Sequence, residues 1–368
     1  MPSSEFFDVV IIGGGPAGAA AAITLAKRGI RTAIVERSDY SMIRTGETLS
    51  PSIRSSLINL GVWRHFLKDG HIESFAIRSV WGSPQPLDSS HIFNPYGSGW
   101  HVDRVRFDHM LITAAVNAGT TLFTDARIMN LSHYGTFDWQ ASILQRKSCY
   151  FIRSAFLIDA AGRSTANFMG FPRSFHVVDR LIGIVRFLTR VTTEPYALVE
   201  AMADGWWYSA PLSHDRLVVA LMTDADLIAR SGYVPYDYWI HQLAVAPLTS
   251  ARAGQQISLA ESKIVSAASV LRNPLHGTDW LAAGDASIAF DPISGQGVYN
   301  ALRGGVIAAE AVMARFDGSS ETFTEYSRWI NSQFLRYLQM RSALYRKEQR
   351  WPHSLFWLRR QSLINARK

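Results

Sequence analysis

Three glycines near the amino terminus are spaced for binding a phosphate group. Gly13, Gly15 and Gly18 form a G-x-G-x-x-G motif directly after the apolar run 9–12, which predicts a buried parallel strand. In such a turn the first glycine permits the tight bend, and the second lets the backbone approach a pyrophosphate. The third allows close packing of helix on strand. The spacing therefore predicts a dinucleotide-binding turn, with a purely structural glycine-rich turn as the alternative.

The segments after this turn supply the rest of a dinucleotide site. Pro16 and Ala17 begin a predicted helix, whose first N–H groups and positive dipole end favour an anion. A second strand-like run, 32–35, ends at Glu36, where a carboxylate accepts hydrogen bonds from a ribose diol. Arg37 follows directly. We expect these four residues to line the cofactor site together with the three glycines.

Size and composition indicate a globular enzyme of one large or two smaller domains. The chain has 368 residues, of which 48% are hydrophobic and 18% charged. Its single cysteine, Cys149, excludes an internal disulfide and a cysteine-cluster metal site, and we expect no metal. Residues 9–26 carry no charge, but Pro16 and three consecutive glycines interrupt any membrane helix there. We therefore expect a cytoplasmic protein without a transmembrane segment.

The positive charge is concentrated at the carboxyl end. Residues 336–368 contain nine basic residues and one acidic residue, a net charge of +8 that exceeds the +7 of the whole chain. This distribution disfavours nucleic acid as a ligand and favours one acidic docking surface. Trp351, Phe356 and Trp357 lie among these charges, a combination that predicts a helix docking on a partner protein, with an ordinary solvated helix as the alternative.

Two further motifs appear far along the chain, and together with the first they resemble a known family. They are DAAGR at 159–163 and Gly284–Asp285 followed by P-x-x-G-Q-G at 292–297. With the glycine turn and Glu36, their order is similar to that in FAD monooxygenases of the para-hydroxybenzoate hydroxylase fold, over roughly residues 7–315. The resemblance implies bound FAD and an α/β fold: a Rossmann-like domain of the glutathione-reductase type with an inserted, mainly antiparallel β-sheet domain and a carboxyl-terminal helical tail.

The resemblance also implies roles for individual residues. Asp285 would bond the ribityl chain of FAD, and Arg104 or Arg106, of which we prefer Arg104, would reach its phosphates. A surface arginine is the alternative. Arg127 follows a predicted strand where backbone groups contact adenine. The flavin ring would lie beside the segment 292–297 and the start of the next helix, a set that consists of Pro292, Gly295, Gly297 and Val298.

Domain bounds follow from these motif positions and from the change to alternating strand patterns near residue 167. The predicted FAD-binding domain comprises 1–72, 100–166 and 270–316; the predicted substrate domain comprises 73–99 and 167–269; the predicted helical segment is 317–368. DAAGR departs from the D-G pattern that helps this family bind NAD(P)H, and no second G-x-G-x-x-G follows residue 18. We therefore expect an external electron donor linked to a flavin or to NAD(P)H.

A closer resemblance concerns three segments: GETLSP at 46–51, GWWYSAPL at 205–212 and FDPISGQGVYNAL at 290–302. The first is similar to a motif of halogenase-like flavoproteins. The other two are similar to the flavoproteins that form cysteine tryptophylquinone in lysine and glycine oxidases. This resemblance implies hydroxylation of a tryptophan side chain in a precursor oxidase, which would be the protein partner. A non-catalytic, flavin-binding maturation partner remains an alternative.

Another alternative is a hydroxylase or halogenase of a free aromatic or indole metabolite. Flavin tryptophan halogenases carry W-x-W-x-I-P, whereas 206–211 reads WWYSAP, which keeps Pro211 but loses the spacing between the two tryptophans. Arg78 stands where their lysine would be expected, and a guanidinium does not form the same adduct with hypohalous acid. Both departures disfavour halogenation.

Glu47 is the candidate catalytic residue. In the resembling family this glutamate faces the active-site tunnel, where it could act as a base toward an indole. The alternative is a glutamate favoured by a helix dipole. Trp206, Tyr208 and Pro211 are the predicted substrate pocket, although strand alternation would place some of them in the sheet core. His101 is interpreted as a structural histidine.

Overall fold

A computed structural model describes residues 5–163, 174–189, 194–254 and 262–362. Its strands, in chain order, are β1 (Glu5–Ile12), β2 (Thr32–Val35), β3 (Thr48–Leu49), β4 (Ile72–Ser74), β5 (Ala76–Val80), β6 (Leu87–Ser90), β7 (Gly99–His101), β8 (Thr121–Phe123), β9 (Ala126–His133), β10 (Trp139–Gln145), β11 (Ser148–Asp159), β12 (Ser174–Val177), β13 (Leu181–Thr189), β14 (Ala197–Met202), β15 (Gly205–Leu212), β16 (Arg216–Asp224), β17 (Ser262–Ser266), β18 (Val270–Asn273), β19 (Trp280–Ala282) and β20 (Ile288–Ala289).

The helices are α1 (Pro16–Ala26), α2 (Ile53–Leu60), α3 (Trp63–Lys68), α4 (Arg104–Asn117), α5 (Ala225–Ser231), α6 (Pro235–Ala244), α7 (Pro247–Ala253), α8 (Gly297–Phe316), α9 (Thr322–Arg346) and α10 (Leu355–Ser362). Two 3₁₀ turns, Gly284–Ala286 and Pro292–Ser294, precede α8. Within the described ranges, no helix is both long and apolar enough to cross a bilayer.

The first large sheet carries the glycine turn. Its strand order is β8-β2-β1-β11-β10-β9, with β19 also paired to β11. The strands β8, β2, β1, β11 and β19 run parallel, whereas β10 pairs antiparallel with both of its neighbours. Val9 and Ile11 of β1 pack with α1, α4 and α8, and Val10 and Ile12 pack on the opposite face. This alternation buries both faces of β1, which explains its continuous apolar run.

The second large sheet has the order β17-β13-β16-β15-β14-β5-β6, and all of its pairs are antiparallel except β14–β5. Trp206 and Trp207 are adjacent on β15 and therefore point to opposite faces. Trp206 packs with Tyr345 and Trp357 from α9 and α10, and Trp207 packs with Trp239 from α6. Helices thus cover both faces of this sheet.

The predicted fold class is confirmed: a mixed α/β fold with an inserted, mainly antiparallel sheet and carboxyl-terminal helices. The strands of the second sheet come from within 73–99 and from within 167–269. The domain bounds themselves stay a prediction, and part of the junction near 167 lies outside the described residues.

The carboxyl-terminal segment is part of the core, so the interpretation of its aromatic residues as a docking helix is wrong. Phe356 and Trp357 are fully buried. Arg360 is 1% exposed and donates to Asp224, and Arg341 is 2% exposed and donates to Asp179. Internal carboxylates therefore neutralise part of the charge that the sequence alone assigned to an outer surface.

The first and last parts of the chain meet where α8 crosses α1. A Cβ on Gly305 of α8 would lie 2.1 Å from the carbonyl oxygen of Ala17, a distance that no real contact tolerates. A Cβ on Gly284 would lie 2.6 Å from the Cβ of Ala17. A Cβ on Gly18 would lie 1.9 Å from the carbonyl oxygen of Gly13. Only glycine therefore permits the two pieces to pack this closely.

We expect Gly305→Ala to destabilise the protein by about 1–3 kcal/mol, because overpacking forces α1 and α8 apart. Gly304→Ala is the matched control, since its Cβ would meet its nearest neighbour at 3.8 Å, an ordinary contact. The control should be neutral or stabilise by up to about 1 kcal/mol through helix propensity. Urea unfolding measures both, and equal effects of the two substitutions would contradict this packing argument.

Candidate active site

The glycine turn and the start of α1 present unpaired backbone donors. Gly13 has φ +101°, and a Cβ there would lie 2.5 Å from the carbonyl oxygen of Ala160. Helix α1 begins at Pro16, with no acidic residue in its first turn and no side-chain cap among the described residues. A Cβ on Gly15 would meet nothing within 4 Å in the described part of the chain. The helix end is thus open to an anion.

Glu36 closes over the turn from the end of β2. Its carboxylate accepts from the backbone N–H of Gly14 at 2.8 Å, from the Ser38 hydroxyl at 2.5 Å and from Arg44 at 3.0 Å. Burial opposes ionisation, but these hydrogen bonds outweigh it and lower the pKa of Glu36. Arg37 is exposed, and its role in binding the cofactor stays a prediction.

Two arginines meet at one buried carboxylate next to this site. Arg104 donates from Nε to Asp108 at 3.1 Å, and Arg44 donates to the other oxygen of Asp108 at 3.1 Å. Arg104 also donates to the carbonyl of Thr45. Arg106 is exposed and donates to the carbonyl of Asp69 at 3.1 Å, away from this cluster. The geometry therefore favours Arg104 over Arg106.

Arg127 lies at the beginning of β9, with its side chain exposed. The preceding residue, Ala126, donates its N–H to the carbonyl of Glu36 at 3.0 Å. The predicted adenine contact therefore lies next to the predicted ribose contact, in agreement with the order of groups in a dinucleotide.

The two distant motifs are joined by an ion pair. Arg163 of DAAGR donates from Nε to Asp285 at 3.0 Å, and it also donates to the carbonyls of Ala268 at 2.6 Å and Phe290 at 2.5 Å. The Asp285 side chain remains one-third exposed. Because Gly284 lies against Ala17, Asp285 is next to the first helix turn although the two are far apart in sequence.

The segment after Asp285 forms a 3₁₀ turn at Pro292–Ser294, a left-handed Gly295 with φ +60°, and the start of α8 at Gly297. A Cβ on Gly46 would lie 3.6 Å from Val298 and 2.6 Å from Arg104. The uncapped start of α8 therefore faces the GETLSP segment. Of the four residues predicted for the ring site, Gly297 and Val298 lie at this helix end, and Pro292 and Gly295 lie in the turn before it.

The loop itself is held in place by α9. Asp291 is fully buried and accepts from Arg341 at 3.2 Å and from the Tyr345 hydroxyl at 2.8 Å. Burial raises the pKa of Asp291, and the nearby guanidinium of Arg341 opposes that effect. The predicted carboxyl-terminal segment thus positions the predicted ring-binding loop.

Glu47 is 4% exposed and has one unsatisfied oxygen. Its Oε2 accepts from the N–H of Gly46 at 3.0 Å, whereas its Oε1 is buried with no hydrogen-bond partner among the described residues. Burial raises the pKa of Glu47 to about 6, despite the opposing effects of its backbone hydrogen bonds and of Arg104. A buried carboxyl group with this pKa suits proton transfer near neutral pH.

The structure separates the three residues predicted to line one substrate pocket. Trp206 is 1% exposed and its indole N–H donates to Tyr345 at 3.0 Å, so it belongs to the core rather than to an open surface. Pro211 pairs with Leu217 on the face that carries Trp207. Tyr208 is half-buried on the face of Trp206, because side chains alternate along the strand. The role of Tyr208 in a substrate pocket stays a prediction.

Sequence reasoning missed three residues of this region. Arg44 lies in a polar loop without a motif, Arg163 is the last residue of DAAGR, and Thr48 lies within GETLSP. Their partners are distant in sequence, so nothing local indicates the contacts. His101 is satisfied through Nδ1 and Nε2, which agrees with its interpretation as structural. No group of three metal-ligating side chains occurs among the residues described.

Comparison with known proteins identifies the family and the cofactor of this chain. The model of the FAD binding domain family matches residues 7–327. The chain belongs to this family. It is an FAD-dependent oxidoreductase, as the resemblance of its three motifs predicted. The donors of α1 and the side chains of Glu36, Arg104 and Asp285 stay the predicted contacts of FAD, and the start of α8 stays the predicted position of the ring.

Similar proteins include an oxidoreductase, a halogenase and a dihydroxylase. The putative FAD-dependent oxidoreductase LodB of Marinomonas mediterranea is 28% identical over 97% of this chain and 98% of its own length. The myxobacterial chondrochloren halogenase CndH has a TM-score of 0.87 at 22% identity, over 97% of this chain and 86% of that one. The peptidyl tryptophan dihydroxylase QhpG, essential for tryptophylquinone cofactor biogenesis, has a TM-score of 0.78 at 23% identity, covering 97% and 79%.

We expect Asp285→Ala to weaken FAD binding about tenfold to a hundredfold, because a hydrogen bond to a charged group is lost. Asp317→Ala, which removes an exposed carboxylate just beyond α8, is the control and should bind like the parent. Titration of the apoprotein with FAD, followed by flavin fluorescence, measures both affinities. Unchanged affinity in Asp285→Ala would remove this residue from the site.

We expect Glu47→Gln to stabilise the protein in a pH-dependent way. Because folding raises the pKa of Glu47 from about 4.5 to about 6, its ionisation costs stability as pH rises through that window, by about 2 kcal/mol in total. The neutral amide avoids this cost, so its advantage over the parent should be about 2 kcal/mol larger at pH 8 than at pH 4.5. Urea unfolding at both pH values tests this, with the exposed Glu310→Gln as control.

Proposed function

We propose that this protein hydroxylates a tryptophan side chain of a precursor oxidase during biogenesis of a tryptophylquinone cofactor. The observation that carries the proposal is the similarity over nearly the whole chain to QhpG, which is a peptidyl tryptophan dihydroxylase of that biogenesis. The buried, incompletely bonded Glu47 beside the ring-binding loop adds support, since an indole requires a base and a dry environment.

The residues of this chain would bind the tryptophan side chain, orient it and accept a proton from it. FAD supplies the oxygen chemistry: one atom of O₂ enters the indole, the other leaves as water, and two electrons come from a donor. Glu47 would accept the proton lost from the oxygenated carbon, with Oε1 as the accepting atom. The buried ion pairs around Asp291 would hold the ring-binding loop still and keep water out.

The electron donor in this proposal is an external flavin- or NAD(P)H-linked protein. The sequence contains no second dinucleotide fingerprint after residue 18. Arg163 of DAAGR is engaged by Asp285 and two carbonyls, which supports a role in shaping the flavin site rather than in docking a nicotinamide.

A second candidate is a hydroxylase or halogenase of a free aromatic metabolite, favoured by the similarity to CndH. The contacts of Arg78 argue against halogenation. It donates to both oxygens of Asp88, at 2.7 and 2.8 Å, and to the Tyr196 hydroxyl at 2.8 Å, so it is committed to the sheet edge. A non-catalytic maturation partner is the third candidate, and it predicts that Asp285→Ala, without flavin, still supports maturation.

We expect the protein, given FAD, a reductant and O₂, to add oxygen to the precursor oxidase at a tryptophan. Intact-mass analysis and peptide mapping measure the gain, and Glu47→Gln should slow it about 10²- to 10⁴-fold if Glu47 is the base. Omitting the reductant is the control. An unchanged precursor mass would reject the proposal. Oxygen uptake with free indole, or bromine incorporation from added bromide, would favour the second candidate.

A further inference from the structure

A hydrogen-bonded chain of three side chains lies beside Glu47. The Tyr208 hydroxyl is 2.5 Å from Oγ1 of Thr48, and this oxygen is 2.9 Å from Nδ1 of His101. Nε2 of His101 is 3.1 Å from the carbonyl oxygen of Pro195. The chain connects β15, β3 and β7, so it joins the second large sheet to the GETLSP segment.

The carbonyl of Pro195 fixes the direction of every bond in this chain. A carbonyl only accepts, so the proton of His101 must be on Nε2. His101 is 0% exposed, and burial lowers its pKa to about 3, so the neutral ring has Nδ1 as an acceptor. Thr48 must therefore donate to Nδ1, and having one hydrogen, it must accept from Tyr208.

Tyr208 is therefore left as an acceptor. Its only hydroxyl hydrogen is used by Thr48, while its oxygen retains acceptor capacity. It packs on the same cluster as Ile293 from the ring-binding loop, and the carboxylate of Glu47 is near enough to add to the effect of burial in raising the pKa of Tyr208. The unsatisfied Oε1 of Glu47 is a second acceptor in this region.

We propose that Tyr208 determines specificity by accepting a hydrogen bond from the N–H of an aromatic substrate ring. The site would then bind rings with an N–H donor, such as indole. It would disfavour rings of the same size that lack this N–H hydrogen, because the hydrogen bond to Tyr208 is lost. It would also disfavour rings with an acceptor nitrogen, because that nitrogen would face the acceptor oxygen of Tyr208. The inference rests on the proposed function and deepens it, since it says which feature of the tryptophan side chain is recognised.

The test compares the affinities of the FAD-loaded protein for indole and for 1-methylindole. Binding is followed through changes in the flavin absorption spectrum. We expect the parent to prefer indole about tenfold, the value of one ordinary hydrogen bond. In Tyr208→Phe the preference should fall to about one. Tyr134→Phe, an exposed tyrosine in the turn between β9 and β10, is the matched control and should keep the parent preference.

A second variant tests the direction of the chain rather than the presence of the hydroxyl. Thr48→Val keeps the side-chain shape but removes the acceptor, so the Tyr208 hydroxyl becomes free to donate. We expect Thr48→Val to bind quinoline, whose ring nitrogen accepts, about three- to tenfold more tightly than the parent does. A merely structural loss would weaken all three ligands alike and would not produce this gain.

Two results would overturn the inference: a parent protein that does not bind indole or does not distinguish it from 1-methylindole, or a Tyr208→Phe variant that retains the full preference. Failure of the proposed function is seen separately, in the precursor assay. If the preference for indole is lost in Tyr208→Phe but the parent protein does not oxygenate the precursor, the recognition is supported and the proposed reaction is rejected. Oxygenation with an unchanged preference in Tyr208→Phe rejects only the recognition.

Discussion

The close contact between α1 and α8 is the constraint on which the rest of the structure depends. Gly305 and Gly284 lie directly on Ala17, so the last motif is pressed against the first helix turn. A single side-chain carbon at either glycine would push the two pieces apart. The proximity of Asp285 to the phosphate-binding turn follows from this contact, because no local signal connects positions so distant in sequence.

Ion pairs that are buried or partly buried hold the loops of the site on that scaffold. Asp108 orients Arg44 and Arg104, Arg163 spans from DAAGR to Asp285, and Arg341 holds the loop that begins at Asp291. The pair of Arg341 with Asp291 is fully buried, so removing one partner would leave the other charge uncompensated. The carboxyl-terminal helices, which supply Arg341 and Tyr345, are therefore part of the site's architecture.

Much of the cofactor site was predictable because its signals are local. The glycine spacing, the apolar strand before it and the acid at the end of β2 each reflect a requirement of a few neighbouring residues, and their agreement is what made the motif specific. Strand alternation likewise indicated that Trp206 and Trp207 could not share a face. The prediction of a docking tail was wrong because the number of basic residues does not show which carboxylates they contact. Arg360, which donates to Asp224, is an example.

The sequence by itself determined the family, the cofactor and the α/β class, since these depend on short motifs whose geometry is set by backbone stereochemistry and burial. Only the tertiary structure decided which tyrosine remains an acceptor, which arginines meet at Asp108 and that Glu47 keeps an unsatisfied oxygen. Those properties arise from contacts between residues far apart in the chain. Burial and hydrogen-bond direction are set by such contacts, and no local pattern contains them.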